Sequence, residues 1–160
     1  MNRRIALRVI PGIMVAAATT RGLMVPALGA DAKSANGAIE LHSVWARASK
    51  TRETAAYLDI LNHSTMGDRL LAVSSPTAGK CLLQKAHWSG LNLKVMTLDD
   101  LEIPPMSRVR LRPGQTYIAV LGLSQSLENK SELPLSFQFA GAGQLDVSAE
   151  LTIRKLGPLE

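Results

Sequence analysis

The chain has 160 residues, with 18 Lys and Arg against 13 Asp and Glu for a formal charge of +5, and aromatic residues make up only 4%. That length and composition support one domain with a largely aliphatic core, not several domains. They also make no case for nucleic acid: Arg3, Arg4, Arg8 and Arg21 against Asp31 place +3 in residues 1–32, only +2 remains for the rest, and no stacking aromatics are interleaved with the one basic row, Arg108, Arg110 and Arg112.

Residues 1–32 read as a cleaved secretory signal. Arg3, Arg4 and Arg8 form the basic start, Val9 to Thr20 is apolar, and Ala30-Asp31-Ala32 supplies small residues at the spacing signal peptidase prefers. Arg21 keeps the apolar run far below the ~20 residues a spanning helix needs, so no stable membrane insertion is expected after cleavage. The expected location is periplasmic or secreted. Lys33 to Gly37 is small and polar, and residues 33–38 read as a linker to a folded domain over 39–156.

From Ile39 the pattern has the period of a strand. Ile39, Leu41 and Ser43 alternate with Glu40, His42 and Val44. Ala46 to Thr54 reads as a loop, Ala55 to Leu61 as the next strand, and the stretch from Asp68 to Ser74 as a third. In the central stretch, Leu82, Gln84 and Ala86 alternate with Leu83 and Lys85, Ser89-Gly90 turns, and Leu91, Leu93 and Val95 alternate with Asn92, Lys94 and Met96. Pro104-Pro105 cannot donate two backbone hydrogen bonds and must lie outside a sheet. Val109 and Leu111 alternate with Arg108, Arg110 and Arg112, a basic row that reads as a solvated face. Pro113-Gly114 turns the chain into Tyr117 to Leu121, which is apolar enough for a buried strand. After a polar connection, Leu135, Phe137 and Phe139 share one face of a strand, and Leu145, Val147, Ala149 and Leu151 share a face of the last. Neither a sustained amphipathic helix nor an internal repeat occurs. Eight or nine short strands with regular turn signals argue a β-sandwich or barrel.

The one cysteine, Cys81, allows no intrachain disulfide and reads as a small buried hydrophobe in a strand, with a reactive thiol or a soft metal ligand as the alternatives. No nucleophile elbow, HExxH or phosphate-loop pattern occurs, so the expectation is a protein that is not an enzyme.

Ser74-Ser75-Pro76, Ile103-Pro104, Leu111, Pro113-Gly114 and Gly122-Leu123 fall in the order seen in the PCuAC family of periplasmic copper chaperones, with Trp45-Ala46-Arg47 and Ala55-Ala56-Tyr57 upstream. The stretch from about Val44 to Arg154 resembles that family. The resemblance implies an all-β, cupredoxin-like Greek-key β-sandwich. It also implies a role in copper homeostasis: holding Cu(I) and passing it to a copper-accepting partner such as a cytochrome oxidase subunit, which is transfer rather than catalysis. Family members hold Cu(I) with two His and two Met, as a His, ten residues, a Met, twenty-one residues and then His-x-Met. Thioethers are soft and select Cu(I). Laid on this chain without gaps, the four ligands fall on Gln84, Val95, Tyr117 and Ala119, so the register is kept while the ligand side chains are not. A one-residue slip would bring Met96 to the second position, at the cost of a bulge. A rebuilt site from Met96, Met106 and His87 is the other route to Cu(I). Two functions follow: a copper chaperone with a weakened or rebuilt site, or a metal-free binding module that kept the sandwich. Tyr117 is expected to bond Gln84, since a buried phenol finds a partner.

Overall fold

Strands account for all the regular structure in the computed structural model, which describes residues 31–34, 37–128 and 132–152. In chain order they are β1 (Ala32–Lys33), β2 (Ile39–Arg47), β3 (Glu53–Asn62), β4 (Asp68–Ser74), β5 (Ala78–Ser89), β6 (Asn92–Thr97), β7 (Leu101–Ile103), β8 (Arg108–Leu111), β9 (Thr116–Leu123), β10 (Glu132–Phe139) and β11 (Gly143–Thr152). Of the signal expected over 1–32, only Asp31 and Ala32 lie among the described residues. No helix there is long and apolar enough to cross a membrane.

Hydrogen bonding runs β6-β5-β9-β3-β2-β11-β10-β4-β7, with β1 on β2 and β8 on β3. Most neighbours are not consecutive in sequence, as the crossovers of a Greek-key sandwich require. The two layers divide at β3. Its first half pairs β9 (Thr54 opposite Val120, Ala56 opposite Ile118), and its second half pairs β8 (Leu58 opposite Leu111, Leu61 opposite Arg108). Between the layers lies an aliphatic core in which Ile39, Leu58, Ile60, Leu111, Ile118, Phe137 and Phe139 are buried. Each such side chain contributes roughly 1.5–3 kcal/mol through burial. Alternation puts Leu135, Phe137 and Phe139 of β10 and Leu145, Val147 and Ala149 of β11 into this core, as the sequence indicates.

Near the start of the described residues the structure differs from the sequence reading in two ways. In β2, His42 faces Asp59 and Trp45 faces Tyr57, so β2 takes three steps where β3 takes two. Ser43 sits at this bulge with φ 52°, its amide donating to Asp31 Oδ1 at 3.0 Å. The extra residue reverses the phase, and the buried set passes from Ile39 and Leu41 to Val44 and Ala46. Trp45 therefore turns away from the core. The second difference concerns residues 33–38. Ala32 and Lys33 pair with Leu41 and Glu40, and the buried Ser34 accepts the Ile39 amide on its Oγ at 2.9 Å, so the start of this segment belongs to the sheet.

The basic row of β8 is only partly solvated. Arg108 and Arg110 are exposed, whereas Arg112 Nη2 lies 2.5 Å from Oδ1 of the buried Asp59. That contact is an ion pair without the alignment of an N–H···O bond.

Candidate functional site

The four positions that correspond to the family's copper ligands share one face. Residues directly opposed across an antiparallel ladder point the same way, as do residues two apart in a strand. Gln84 opposes Tyr117, Leu82 opposes Ala119, and Ala86 opposes Val95. Gln84, Val95, Tyr117 and Ala119 thus line one side of β6-β5-β9, while Leu83 and Ile118 point from the other side into the core. The β5–β6 ladder runs from Gln84–Thr97 to Ser89–Asn92 without a register shift, and Gly90-Leu91 forms the turn between them. With no bulge in this hairpin, Val95 shares the Gln84 face and Met96 does not. Met96 opposes Lys85 and lies on the face opposite Gln84.

At the centre of this face the Tyr117 hydroxyl donates to Gln84 Oε1 at 2.8 Å, the pairing expected from the sequence. The bulge of β2 and the switch of β3 add two more rings. Trp45 stacks on Tyr57 with centroids 4.4 Å apart and planes tilted by 35°. Tyr57 in turn lies 6.5 Å from Tyr117 at 42°. The row Trp45, Tyr57, Tyr117, Gln84 therefore crosses β2, β3, β9 and β5. Burial holds the Tyr57 phenol above its ordinary pKa, with Arg47 acting in the opposite direction.

The loop between β2 and β3 borders the face and leaves a groove of about 400 Å³ lined by Arg47, Ser49, Thr51, Glu53, Tyr117 and Gln84, among others. Thr54 Oγ1 donates to the Arg47 carbonyl at 2.6 Å, and Ser49 accepts the Leu127 amide on its carbonyl at 3.0 Å, so the wall is tied down. Chemically the groove offers one aromatic ring with its phenol, an amide, a guanidinium, hydroxyls and a carboxylate. It suits a partner recognised mainly by hydrogen bonds. No thioether or imidazole stands at the four positions, so they lack the soft and imidazole donors that favour Cu(I).

The three rebuilding candidates are not brought to it. His87 and Met96 share the opposite face and line a second cavity of about 400 Å³ with Lys85, Lys94 and Val95. Met106 stands in the turn between β7 and β8 with φ 49°, its amide donating to the Ser64 carbonyl at 2.9 Å. Among the described residues, no group of three or more His, Cys, Asp or Glu is placed to hold a metal ion.

Two histidines are engaged elsewhere. Glu40 receives His63 Nε2 at 2.9 Å on one oxygen and His42 Nε2 at 3.1 Å on the other, while His42 Nδ1 lies 3.3 Å from Asp31. The hydrogen bond from His63 is the main reason that the Glu40 carboxyl lies below its usual range. Sequence reasoning missed both this cluster and the aromatic row. The signals were there: Glu40 and His42 are two apart on a strand whose paired partner ends at Asn62, just before His63, and Trp45 lies just past the bulge. Cys81 is half-buried in β5, and burial raises its thiol to about 11.

A profile of the LpqE-like family matches residues 39–151. No curated protein sequence matches the chain. Among solved structures, the copper-bound PCuAC domain from PmoF2 superposes with a TM-score of 0.63 at 22% identity, covering 74% of this chain and 95% of that one. The apo PCuAC domain from PmoF1 gives 0.62 at 22% identity, covering 74% and 96%. CuI-DR1885 from Deinococcus radiodurans gives 0.56 at 18% identity, covering 86% and 87%. At these identities the likeness establishes the fold, a cupredoxin-like sandwich of the PCuAC type.

Proposed function

The chain belongs to the LpqE-like family, and from that membership and its fold we propose that it is a copper-chaperone-like protein without enzymatic activity, exported by a signal within residues 1–32 and working outside the cytoplasm. Its metal position has become a metal-free recognition groove. The observation that carries this reading is the Tyr117–Gln84 hydrogen bond, formed between the two positions that would hold opposed histidines. A phenol bonded to an amide offers copper neither a soft donor nor a free imidazole. The role that remains is to bind a partner through the groove, outside the cytoplasm.

A second reading keeps Cu(I) on the opposite face, held by Met96 and His87, which line one cavity. Lys85 and Lys94 line it too, and two ammonium groups oppose a cation there. The first reading is favoured on that ground. A Cu(I) titration against a competing chelator tests both. The groove reading requires that the chain take no Cu(I) from the chelator. Tight binding abolished by His87→Ala with Met96→Ala would establish the second reading instead. Intact mass of exported material tests the signal, and a mass retaining residues 1–32 would refute it.

A further inference from the structure

The β5–β6 hairpin leaves the body of the sheet. β5 pairs β9 only as far as Lys85, and beyond it the ribbon has β6 on one side. β6 ends the strand order, and all six of its residues are exposed. A two-stranded ribbon is marginal on its own in water. This one nevertheless carries exposed large apolar side chains: Leu91 is 98% exposed, Trp88 59%, Leu93 47% and Val95 47%. The pairs Trp88–Leu93 and Ala86–Val95 set three of these on one face. Leu91 stands at the tip, where Gly90 takes φ 63° and allows a two-residue turn. On the other face lie Lys85, His87, Lys94 and the exposed Met96, and no Asp or Glu occurs between Gln84 and Leu98.

We propose that this ribbon docks the protein on an anionic lipid bilayer, with Trp88, Leu91 and Leu93 entering the interface and Lys85 and Lys94 against the headgroup phosphates. A tip that projects its apolar side chains outward meets no pocket requirement at a bilayer, which deforms around it, whereas a protein partner would need a matching cleft. Tryptophan favours the interface, where its apolar ring and polar N–H are both accommodated. Lysines with no acidic neighbour complement the anionic surface. Trp88 and the two lysines lie on opposite faces, so the ribbon would enter tip-first at Leu91, with both faces beside the headgroups. The proposal does not depend on whether the chain binds copper.

The test uses the full chain with vesicles of phosphatidylcholine alone or with about one third phosphatidylglycerol. Any contribution of residues 1–32 is common to parent and variants. The anionic vesicles should sediment the parent, shift its tryptophan emission to the blue and shield it from iodide, with the spectral change lost in Trp88→Phe because Trp45 is part-buried in the protein. Leu91→Asp should weaken binding by at least ten-fold. Lys85→Gln with Lys94→Gln should weaken it by roughly ten-fold or more and remove most of its salt dependence. Circular dichroism confirms that each variant is folded. Unchanged iodide quenching of Trp88 on vesicles, or binding by Leu91→Asp equal to the parent's, overturns the proposal. So does a lipid-free dimer that Leu91→Asp dissociates, which would make the ribbon a self-association surface.

Discussion

Tyr117 and Gln84 face each other directly across the β9–β5 ladder, and the phenol donates to the amide oxygen at 2.8 Å. The pair is a neutral contact between a phenol and an amide. Both side chains are half-buried, so the bond is neither fully desolvated nor open to water.

A double-mutant cycle measures it. Tyr117→Phe and Gln84→Ala should each destabilise the protein by about 0.5–1.5 kcal/mol, the net range for one hydrogen bond. Together they should cost less than the sum, by at least about 0.5 kcal/mol, because the second change removes a partner already lost. Urea unfolding midpoints supply the numbers. Strict additivity would show that the bond contributes nothing.

The framework was legible because burial follows alternation: Phe137, Phe139, Val147 and Ala149 point where period two places them. The site was legible in register, since β5 and β9 pair without a shift between Lys80 and Lys85. Its walls were not. A bulge is signalled by nothing stronger than Ser43, a residue that tolerates many conformations, yet it turns Trp45 away from the core onto Tyr57 and sends Val44 into the core. Likewise, the face of Met96 depends on where the hairpin turns. Ser89-Gly90 and Gly90-Leu91 differ by one residue, and the observed turn pairs Ala86 with Val95 and leaves Met96 on the far side.

The Glu40 cluster gives a pH signature. The folded-state carboxyl is depressed, first by the hydrogen bond from His63 and then by Lys33 and the charges of His42 and His63. A depressed carboxyl stabilises the fold at pH values above its unfolded pKa of about 4.3, and that stability is lost as pH falls through the lower folded value. Glu40→Gln should therefore be less stable than the parent near pH 6, with the difference narrowing as pH falls below the unfolded carboxyl value. Urea midpoints across that range check it. A difference that does not change with pH would assign Glu40 a packing role only.

Cys81 should be a sluggish nucleophile. Burial raises its thiol to about 11, so at pH 8 almost none is thiolate. Reaction with a disulfide reagent should run about a hundredfold or more slower than for the urea-unfolded chain, given an ordinary thiol pKa near 8.5. Equal rates at pH 8 would mean that β5 opens readily around it.

The last expectation concerns recreating a copper site. Gln84→His, Val95→Met, Tyr117→His and Ala119→Met put two imidazoles and two thioethers on one face of three paired strands. The two imidazoles would be directly opposed, the residue 119 thioether two residues along β9, and the residue 95 thioether diagonal to position 84 on β6. The groove of about 400 Å³ beside Tyr117 and Ala119 leaves room for the longer side chain. The combined variant should compete with a chelator for Cu(I) where the parent does not. It should lose about 1–3 kcal/mol of stability, because a smaller ring replaces Tyr117 beside Tyr57 and the bond to Gln84 disappears. The variant lacking Val95→Met should bind more weakly, by an order of magnitude or more, since Met96 lies on the far face and cannot substitute. Equal affinities for the three-change and four-change proteins would place Met96 in the site and refute the β5–β6 register. If both proteins stay folded and neither holds Cu(I), the correspondence of these four positions with the copper ligands of the PCuAC fold is wrong.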